Sequence, residues 1–277
     1  MLTALTRGVS PSLGECELTY MNRECIDIQR AALQHRAYEE CLRSTGLNVI
    51  SLPVEPDLPD AVFVEDVAIV VDEVAVVARM GAVKRRPEVA SLVEVLGRYR
   101  PLKFVDAPAT LEGGDEINIG RTLYVGVSCR TNRPGVEQLQ QVLGLFDYDV
   151  RPVEVRGCLH LTTGASYIGE NTMLVNPAWV DATQFRGFEI IETPETEPWG
   201  ANTVLVGDVV LLSASYPRTR DLLAQRGFKV RTVDISELEK AEAGLSCMSL
   251  TFETPAMPPG TTGDETLVAR QLSFSTV

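Results

Sequence analysis

The chain has 277 residues, of which 45% are hydrophobic, and its formal net charge is −13 at pH 7. This length and composition provide enough apolar material for a large core and exclude a disordered or fibrous protein. The acidic balance argues against nucleic acid as a partner, because neutralising phosphates requires clusters of Lys and Arg. It is compatible with a cationic ligand, and it is equally typical of an ordinary acidic enzyme.

Nothing in the sequence predicts export or membrane insertion. The first seven residues lack the basic start and long apolar run of a signal peptide, and no stretch approaches the length of a membrane span. The six cysteines are scattered, and His35 and His160 are the only histidines. We therefore expect a cytoplasmic protein with reduced thiols and without a zinc site.

The first predicted helix covers residues 21–46, because its apolar residues fall roughly along one stripe and Gly46 is a suitable stop. His35 lies inside this segment among polar residues. We expect it on the helix surface rather than in a catalytic site. A strand over residues 47–52 follows and ends in a proline-rich loop.

An acidic cluster marks the next apolar segment. Asp60 precedes it, and Glu65 and Asp66 lie within residues 61–71, which we interpret as a strand. Carboxylates inside a buried strand must find hydrogen-bond donors or a positive partner. The cluster therefore favours a cation site, although strand alternation could equally point one carboxylate outward and leave the other to cap a loop.

Four short hairpins recur along the chain at intervals of about 37–50 residues. They are predicted over residues 67–78, 117–127, 167–175 and 203–212, and Gly, Asp and Asn occupy their turns. Helices that begin at prolines are predicted after the first, second and fourth hairpins, over residues 87–99, 134–146 and 217–226. The repeat predicts a single-domain ring of about five α/β units with a site on its axis.

A candidate nucleophile lies near the end of this repeat. Cys247 follows a Gly- and Ser-containing approach and precedes an apolar strand that carries Leu250 and Phe252. A free cysteine in such a place usually behaves as a small buried hydrophobe. A nucleophilic role would need a proton partner, and His160, on a short strand that runs into a glycine loop, is the best placed. A lone histidine of this kind is more often structural.

The loops between hairpins carry further polar candidates. Glu112 and Asp115 flank two glycines that permit close backbone approach. Arg85 lies in a basic triplet after the first hairpin, and Arg130 lies in a polar loop after the second. Solvated turn carboxylates and surface arginines also account for these patterns, so neither pattern is specific by itself.

Eight motifs that occur in order between about residue 5 and residue 252 carry a family resemblance. They are S-L-G at 12–14, L-P-D at 58–60, F-V-E-D at 63–66, K-R-R at 84–86, L-E-G-G-D at 111–115, R-T-N at 130–132, L-H-L at 159–161 and L-S-C-M-S at 245–249. Together they resemble the dimethylarginine dimethylaminohydrolases of the guanidino-group-modifying pentein superfamily. The resemblance implies a five-bladed, pseudo-symmetric α/β propeller over residues 1–253, and we expect a flexible tail over residues 254–277.

The resemblance also implies a role for each site residue. Catalysis would use Cys247 as the nucleophile, His160 as the general acid/base and Glu112 to orient the histidine. Substrate binding would use Glu65 and Asp66 for the guanidinium, Asp60 and the backbone around Leu13 for the α-amino group, and Arg85 and Arg130 for the α-carboxylate. Residues 8–19 would form a lid over the site.

The implied reaction is the hydrolysis of Nω-methylated and Nω,Nω-dimethylated arginine to citrulline and methylamine or dimethylamine, through a covalent thiouronium on Cys247. The partner is then a small-molecule methylarginine, without nucleic acid, membrane, metal or organic cofactor, and assembly into a homodimer is left open. An arginine deiminase or amidinotransferase is the alternative among guanidine-modifying enzymes. A non-catalytic propeller that binds a partner is the alternative from a different class.

Overall fold

Five three-stranded sheets form the framework of the protein, in a computed structural model that describes residues 1–254. The flexible tail predicted for residues 254–277 lies outside the described residues, apart from Thr254. The strands are β1 (Leu2–Arg7), β2 (Asn48–Leu52), β3 (Ala68–Val70), β4 (Ala75–Val77), β5 (Leu102–Phe104), β6 (Glu116–Ile119), β7 (Thr122–Val127), β8 (Asp149–Glu154), β9 (Ala165–Tyr167), β10 (Thr172–Val175), β11 (Glu189–Glu192), β12 (Thr203–Val206), β13 (Val209–Ser213), β14 (Lys229–Val233) and β15 (Leu250–Glu253). The α-helices are α1 (Ile28–Ser44), α2 (Val89–Leu96), α3 (Arg133–Leu143), α4 (Leu161–Gly164), α5 (Pro217–Gln225) and α6 (Ser236–Glu239).

All five sheets share one connectivity. An antiparallel pair is joined by a third strand that runs parallel to its neighbour, as in β3-β4-β5, where Ile69 lies opposite Val76 and Val76 lies opposite Lys103. Parallel neighbours need a crossover connection. Helices α1, α2, α3 and α5 supply four of these crossovers, and the connection between β10 and β11 contains the short 3-10 helix Ala182–Gln184.

The sheet β15-β1-β2 combines segments that are far apart in the sequence. β1 runs antiparallel to β15, with Leu5 opposite Leu250, and parallel to β2. The amino group of Met1 donates to the carbonyl oxygen of Thr254 at 2.7 Å. The loop that carries Cys247 therefore enters the same sheet as β1.

The four predicted hairpins are confirmed. Gly120 and Gly207 in two of the turns have φ values of 65° and 59°, a conformation that glycine adopts without a Cβ clash. The helices predicted after the second and fourth hairpins are confirmed as α3 and α5. The side chain of Asn132 caps α3 by accepting the amide of Gly135.

Two helix starts differ from the sequence prediction. Helix α1 begins at Ile28 rather than at residue 21, because Asp27 caps it by accepting the amide of Arg30. Helix α2 begins at Val89, because the residues around Pro87 belong to a preceding 3-10 helix, Val83–Glu88.

The segment that carries the acidic pair was wrongly predicted as one strand. Val64–Val67 form a 3-10 helix, and β3 is confined to Ala68–Val70. Successive side chains in a 3-10 helix are about 120° apart, whereas a strand sends them to opposite faces. The tight turn therefore lets Glu65 and Asp66 approach the same region of the molecule.

His35 is buried, which corrects the prediction of a surface position. It lies on α1, a helix that packs against β2, β14 and α6, and it is 2% exposed. Its Nδ1 atom lies 3.9 Å from Oε1 of Glu39. Burial lowers the pKa of His35, and the Glu39 carboxylate only partly opposes this effect.

The apolar core lies between the helices and their sheets and also between neighbouring sheets. Leu5 of β1 and Leu250 of β15 share one cluster with Leu92 and Leu96 of α2. The first and second sheets of the chain are thereby packed together. Among residues 1–254, no helix has both the length and the apolar character that crossing a bilayer requires.

Candidate active site

A narrow cavity lies where connecting segments of several sheets meet. Six of the predicted site residues line it, namely Asp60, Asp66, Arg85, Arg130, His160 and Cys247. Of the other three, Glu112 is buried against His160 and Glu65 contacts the residue before Cys247. Leu13 does not line the cavity.

The His160 imidazole is held between two carboxylates. Its Nε2 atom lies 2.8 Å from Oε2 of Glu112, and its Nδ1 atom lies 3.6 Å from Oδ1 of Asp66. Burial by itself lowers the pKa of His160, but Asp66 and the hydrogen bond with Glu112 raise it to about 9. The side chain is therefore an imidazolium at neutral pH, with a proton on each nitrogen.

The backbone at His160 differs from the short strand that was predicted. His160 is the N-cap residue of α4, with an extended backbone at φ −135° and ψ 165°. The chain turns sharply here, because the amide of Leu161 donates to Oδ1 of Asp115 at 2.9 Å. Asp115 therefore fixes the direction in which the His160 side chain leaves the backbone.

Glu112 is fully buried and is fixed at both oxygens. Oε2 faces His160, and Oε1 accepts the amides of Gly81 and Ala82 at 2.9 and 3.2 Å. Burial favours the neutral carboxyl, but the hydrogen bond with His160 holds the pKa of Glu112 well below its usual value. An ionised carboxylate in this place can orient the imidazole and stabilise its charge.

The two glycines after Glu112 allow the loop to pack against the acidic pair. A Cβ atom on Gly114 would lie 2.6 Å from Oδ1 of Asp66 and 2.7 Å from Nδ1 of His160. A Cβ atom on Gly113 would overlap the carbonyl oxygen of Glu65. The close backbone approach predicted from these glycines is confirmed, and a side chain at either position would separate His160 from the acidic turn.

Cys247 lies in the 3-10 helix Ser246–Met248, and one residue separates this helix from β15. Its sulfur accepts the amide of Gly244 at 3.4 Å, and the residue is 7% exposed. Burial and the nearby carboxylates of Glu65 and Asp66 raise the pKa of Cys247 well above its ordinary value. The Cys247 thiol is therefore a weaker acid than an ordinary cysteine.

The carboxylates of Glu65 and Asp66 have different partners. Oε2 of Glu65 accepts the hydroxyl of Ser246 at 2.9 Å, a contact that the sequence pattern did not indicate. Burial, reinforced by the charge of Asp66, raises the pKa of Glu65 to about 8. Asp66 accepts Nη1 of Arg85 at 2.6 Å and the amide of Gly114 at 3.1 Å. Glu65 thus has more capacity left for a ligand cation than Asp66.

Arg85 lines the cavity, but its guanidinium is largely engaged within the protein. Nη1 donates to Asp66, while Nε and Nη2 both donate to the carboxylate of Glu88. Nη2 also donates to the carbonyl oxygen of Phe63 at 3.3 Å. Burial raises the pKa of Glu88 to about 7, although Arg85 opposes that shift. The ion pairs hold Asp66 in place beside His160.

Arg130 has more donor capacity than Arg85. Nη2 donates to Oγ1 of Thr19 at 3.3 Å. Nη1 is buried and lies 3.5 Å from Oε1 of Glu112, but it makes no hydrogen bond with any of residues 1–254. An unpaired buried guanidinium N–H is costly, and an anionic ligand group in the cavity would satisfy it.

Asp60 lies at the cavity, whereas Leu13 lies away from it in the apolar core. Asp60 lines the cavity, and both of its oxygens accept the amide of Glu17, at 3.3 and 3.1 Å. Leu13 is fully buried in the apolar core, and its amide donates to Ser10 within a local 3-10 turn. The structure therefore brings Asp60 to the site together with the predicted lid, but it does not bring the Leu13 backbone there.

Glu242 is a cavity residue that sequence reasoning missed. Its carboxylate accepts the amides of Thr19 and Tyr20, at 2.6 and 2.9 Å. It is a non-glycine residue with φ of 60°, in the left-handed region. Neither property has a sequence signal, because Glu242 ends a charged stretch, S-E-L-E-K-A-E at 236–242, that is typical of a solvated helix end.

Asp66, Glu112 and His160 could together hold a metal ion, since their ligand atoms lie within 4.8 Å of one another. A metal takes a neutral imidazole nitrogen, and both His160 nitrogens face carboxylates as proton donors. Metal binding would therefore require His160 to lose a proton and one of its carboxylate contacts. The arrangement satisfies an imidazolium without further groups.

Comparisons with known proteins agree with this geometry. A family model described as N,N dimethylarginine dimethylhydrolase, eukaryotic, matches residues 18–252. The N(G),N(G)-dimethylarginine dimethylaminohydrolase of Pseudomonas aeruginosa is 38% identical over 228 residues, which cover 82% of this chain and 90% of that protein.

Two solved structures are also similar. A cysteine-to-serine variant of the Pseudomonas aeruginosa enzyme, complexed with citrulline, superposes with a TM-score of 0.87 at 35% identity, and the match covers 91% of this chain and 100% of that chain. A histidine-to-glycine dimethylarginine dimethylaminohydrolase, as an adduct with S-methyl-L-thiocitrulline, gives 0.86 at 35% identity, with the same coverage of 91% and 100%. The chain belongs to the dimethylarginine dimethylaminohydrolase family.

Proposed function

We propose that this chain hydrolyses Nω-methylated arginine to citrulline and methylamine or dimethylamine, with Cys247 as the nucleophile. The observation that carries the proposal is the His160 imidazole, held between two carboxylates in the cavity that Cys247 also lines. Family membership supports it, since one relative is complexed with citrulline and another is an adduct with S-methyl-L-thiocitrulline.

Glu65 and Asp66 would bind the substrate guanidinium. A guanidinium carbon is a poor electrophile, because its charge is delocalised over three nitrogens. Each hydrogen bond from the cation to a carboxylate contributes roughly 1.5–3 kcal/mol, and two of them would fix the plane of the group against the sulfur. The placement of the carboxylates on one tight turn supports this assignment.

Substrate binding would also activate the thiol. Burial, together with the Glu65 and Asp66 side chains, keeps the pKa of Cys247 high. Glu65, with a pKa of about 8, is largely neutral at pH 7, so a guanidinium bound beside it would place a positive charge next to the sulfur and offset the charge of Asp66. The thiol pKa would then fall and its proton would pass to water. The reactive thiolate would then form mainly in the complex, where its electrophile is present.

The first chemical step would form a carbon–sulfur bond and break a carbon–nitrogen bond. The Cys247 thiolate adds to the guanidinium carbon, and the electron pair of the breaking bond moves to the methylated nitrogen. His160, whose pKa of about 9 keeps it protonated at neutral pH, gives its proton to that nitrogen. Dimethylamine leaves, and an S-alkylthiouronium remains on Cys247.

The second step would reverse the role of the histidine. Neutral His160 takes a proton from water, and the resulting hydroxide adds to the thiouronium carbon. The carbon–sulfur bond then breaks, which returns the Cys247 thiolate, and the new hydroxyl group loses its proton to water as citrulline is released. Glu112 would hold the imidazole in one orientation through both steps.

The backbone of the amino acid would be recognised at the other end of the cavity. Arg130 would bind the α-carboxylate through its unpaired Nη1 donor. Arg85 would contribute less, because Asp66 and Glu88 already hold it. Asp60 would take the α-amino group after the amide of Glu17 withdraws, so substrate entry would require the lid to move.

Three further expectations, about the fold, the cellular compartment and the assembly, accompany the proposal. The five sheets would close into a five-bladed propeller with the cavity on its axis. The cysteines, all six of which are unpaired within residues 1–254, fit a reducing compartment such as the cytoplasm. Assembly into a homodimer stays a prediction from the sequence.

The test is a substrate panel in which both products are identified. Nω,Nω-dimethylarginine should give citrulline and dimethylamine in equal amounts, without ammonia. Agmatine, which lacks the α-carboxylate, should be a poor substrate. If unmodified arginine gives citrulline and ammonia at a higher kcat/KM than either methylated substrate, the protein is an arginine deiminase. If no guanidine is turned over, the proposed function is wrong.

A further inference from the structure

The Asn202 side chain links the histidine segment to the cysteine segment. Asn202 lies between the 3-10 helix Pro198–Ala201 and β12, and it is 5% exposed. Its Nδ2 atom donates to the carbonyl oxygen of Thr162 and to the hydroxyl of Ser246, both at 2.9 Å. Its Oδ1 atom accepts the amide of Ser246 at 3.2 Å.

These partners fix the orientation of the carboxamide. A backbone carbonyl can only accept and a backbone amide can only donate. Nδ2 must therefore face Thr162, and Oδ1 must face the Ser246 amide. Both N–H groups and the oxygen of Asn202 are used inside the protein, so a rotation of the group by 180° would break these hydrogen bonds.

One side chain thereby couples the two reacting groups. Thr162 is two positions after His160, and Ser246 is the residue before Cys247. The segments come from different parts of the chain. The hydrogen bonds of Asn202 therefore help to set the separation between the acid/base and the nucleophile.

Asn202 also determines where the Ser246 hydroxyl points. Nδ2 of Asn202 donates to the Ser246 oxygen, which leaves the single hydroxyl proton free for Oε2 of Glu65 at 2.9 Å. A donor chain runs from Asn202 through Ser246 to Glu65. Without the amide donor, the hydroxyl can turn away from Glu65.

The backbone of Gly244 packs against the Asn202 carboxamide. A Cβ atom on Gly244 would overlap Cγ and Oδ1 of Asn202. The amide of Gly244 donates to the sulfur of Cys247 at 3.4 Å. Asn202 therefore supports the backbone donor on the thiol as well as the donor to Glu65.

We infer that Asn202 is a positioning residue for the cysteine chemistry, which holds the Gly244 amide on the sulfur and directs the Ser246 hydroxyl to Glu65. Its effect on turnover rests on the proposed function. Its effect on thiol reactivity does not, because alkylation of Cys247 requires no substrate.

The test is the isosteric substitution Asn202→Asp. A carboxylate has no donor for Thr162 or Ser246, and a neutral carboxyl can donate to only one of them. Asn176→Asp is the matched control, because Asn176 is 4% exposed and likewise donates to a carbonyl, at Pro198, and accepts an amide, at Ala178. Ser246→Ala removes the hydroxyl link, and Ser246→Thr retains it.

Two readouts are compared in proteins whose unfolding temperatures have been measured. Asn202→Asp should slow iodoacetamide alkylation of Cys247 and move its pH midpoint upward, and kcat should fall about 10- to 100-fold, the range for an unsatisfied buried polar group. Ser246→Ala should show part of the same decrease in alkylation rate and kcat, and Ser246→Thr should keep values near those of the wild type. In the double variant Asn202→Asp, Ser246→Ala, the decrease, expressed as a free energy, should be less than the sum of the two single decreases. Asn176→Asp should keep the wild-type alkylation profile.

Equal alkylation profiles and kcat in Asn202→Asp and Asn176→Asp would overturn the inference. If Asn202→Asp does not fold, the two Ser246 variants decide, and a wild-type profile in Ser246→Ala overturns the link to Glu65. If the wild-type protein fails to hydrolyse dimethylarginine, the proposed function is wrong, while the alkylation comparison still decides the role of Asn202.

Discussion

Oε2 of Glu242 accepts the amide of Thr19 at 2.6 Å, although the two residues are 223 positions apart. Oε1 accepts the next amide, that of Tyr20. A single carboxylate beside the cysteine loop therefore fastens the segment that follows the cavity-lining residue Glu17 and that we propose as a lid. Hydrogen bonds to a charged group contribute about 1.5–3 kcal/mol each, so this contact stabilises the observed position of the segment.

Replacing Glu242 by Ala should loosen the lid. We expect hydrogen exchange at the Thr19 and Tyr20 amides to accelerate at least about tenfold, measured by mass spectrometry of the lid peptide. Glu237→Ala is the control, since Glu237 also accepts a backbone amide, that of Asp27, but away from the lid. Equal exchange in the two variants would contradict a latch at Glu242.

Cys247→Ser should fold normally and lose almost all hydrolysis, because a hydroxyl is a far weaker nucleophile than a thiolate. A guanidine-like or amidine electrophile should label Cys247 before the other five cysteines, since only its pKa would fall when a cation occupies the cavity. Peptide mapping identifies the labelled residue. Preferential labelling of Cys129 or Cys158, without protection of Cys247 by substrate, would count against the assignment.

Removing the acid/base should leave a folded but inactive protein. His160→Ala lacks the group that protonates the leaving amine, so the release of dimethylamine should be lost while ligand binding persists. Glu112→Gln should lower kcat as well, because a neutral amide no longer stabilises the imidazolium. Near wild-type turnover in His160→Ala would contradict the acid/base role.

The two histidines should change stability with pH in opposite directions. Asp66 and Glu112 raise the pKa of His160 from an ordinary 6.5 to about 9 against the effect of burial, so its contribution is full below pH 6.5 and is lost as the pH rises through 9. The shift corresponds to on the order of 3 kcal/mol. Burial lowers the pKa of His35, so its contribution is full above pH 6.5 and is lost as the pH falls.

Urea unfolding between pH 5 and pH 10 checks these signs. The difference in unfolding free energy between wild type and His160→Gln should shrink as the pH rises from 6.5 to above 9. For His35→Gln the difference should shrink as the pH falls below 6.5. A His160 contribution that grows with pH would mean that the imidazole is neutral in the folded protein.

Replacing Arg130 and replacing Arg85 by Ala should have different effects on substrate binding and on stability. Arg130→Ala removes an unpaired donor, so KM for dimethylarginine should rise with a smaller loss in kcat, and the turnover of agmatine should change little. Arg85→Ala would leave Asp66 and Glu88 buried without their cation, so it should lower the unfolding temperature as well. A substrate series with measured kcat and KM separates these effects, and efficient agmatine turnover by wild type would contradict the assignment of Arg130.

Chelation should leave hydrolysis intact, because the proposed steps use only protein groups. Dialysis against a chelator, followed by assay with dimethylarginine, checks this expectation. Added zinc should inhibit by binding the Cys247 thiolate and His160. Activity that is lost on chelation and restored by one particular metal would show that the cluster of Asp66, Glu112 and His160 works with an ion.

The sequence predicted the repeated hairpins well, because the turn glycines and the alternating apolar residues are local signals. It could not predict that Glu65 and Asp66 share a 3-10 turn, since a short apolar run has the same appearance in a turn and in a strand. The pairing of Arg85 with Glu88 had a readable signal in their spacing of three. The contacts of Glu242 with the lid and of Asn202 with Ser246 had none, because they join distant segments and depend on the packing of the whole molecule.

The pairing of β1 with β15 has a consequence for biosynthesis. β1 leaves the ribosome long before β15, so the edge of β1 that receives β15 stays open during most of translation. An open strand edge can pair with another nascent chain, and a chaperone that covers it would protect the polysome from such contacts. Because Cys247 lies three positions before the strand that fills this edge, the proposed nucleophile is held in its final position only when this pairing forms.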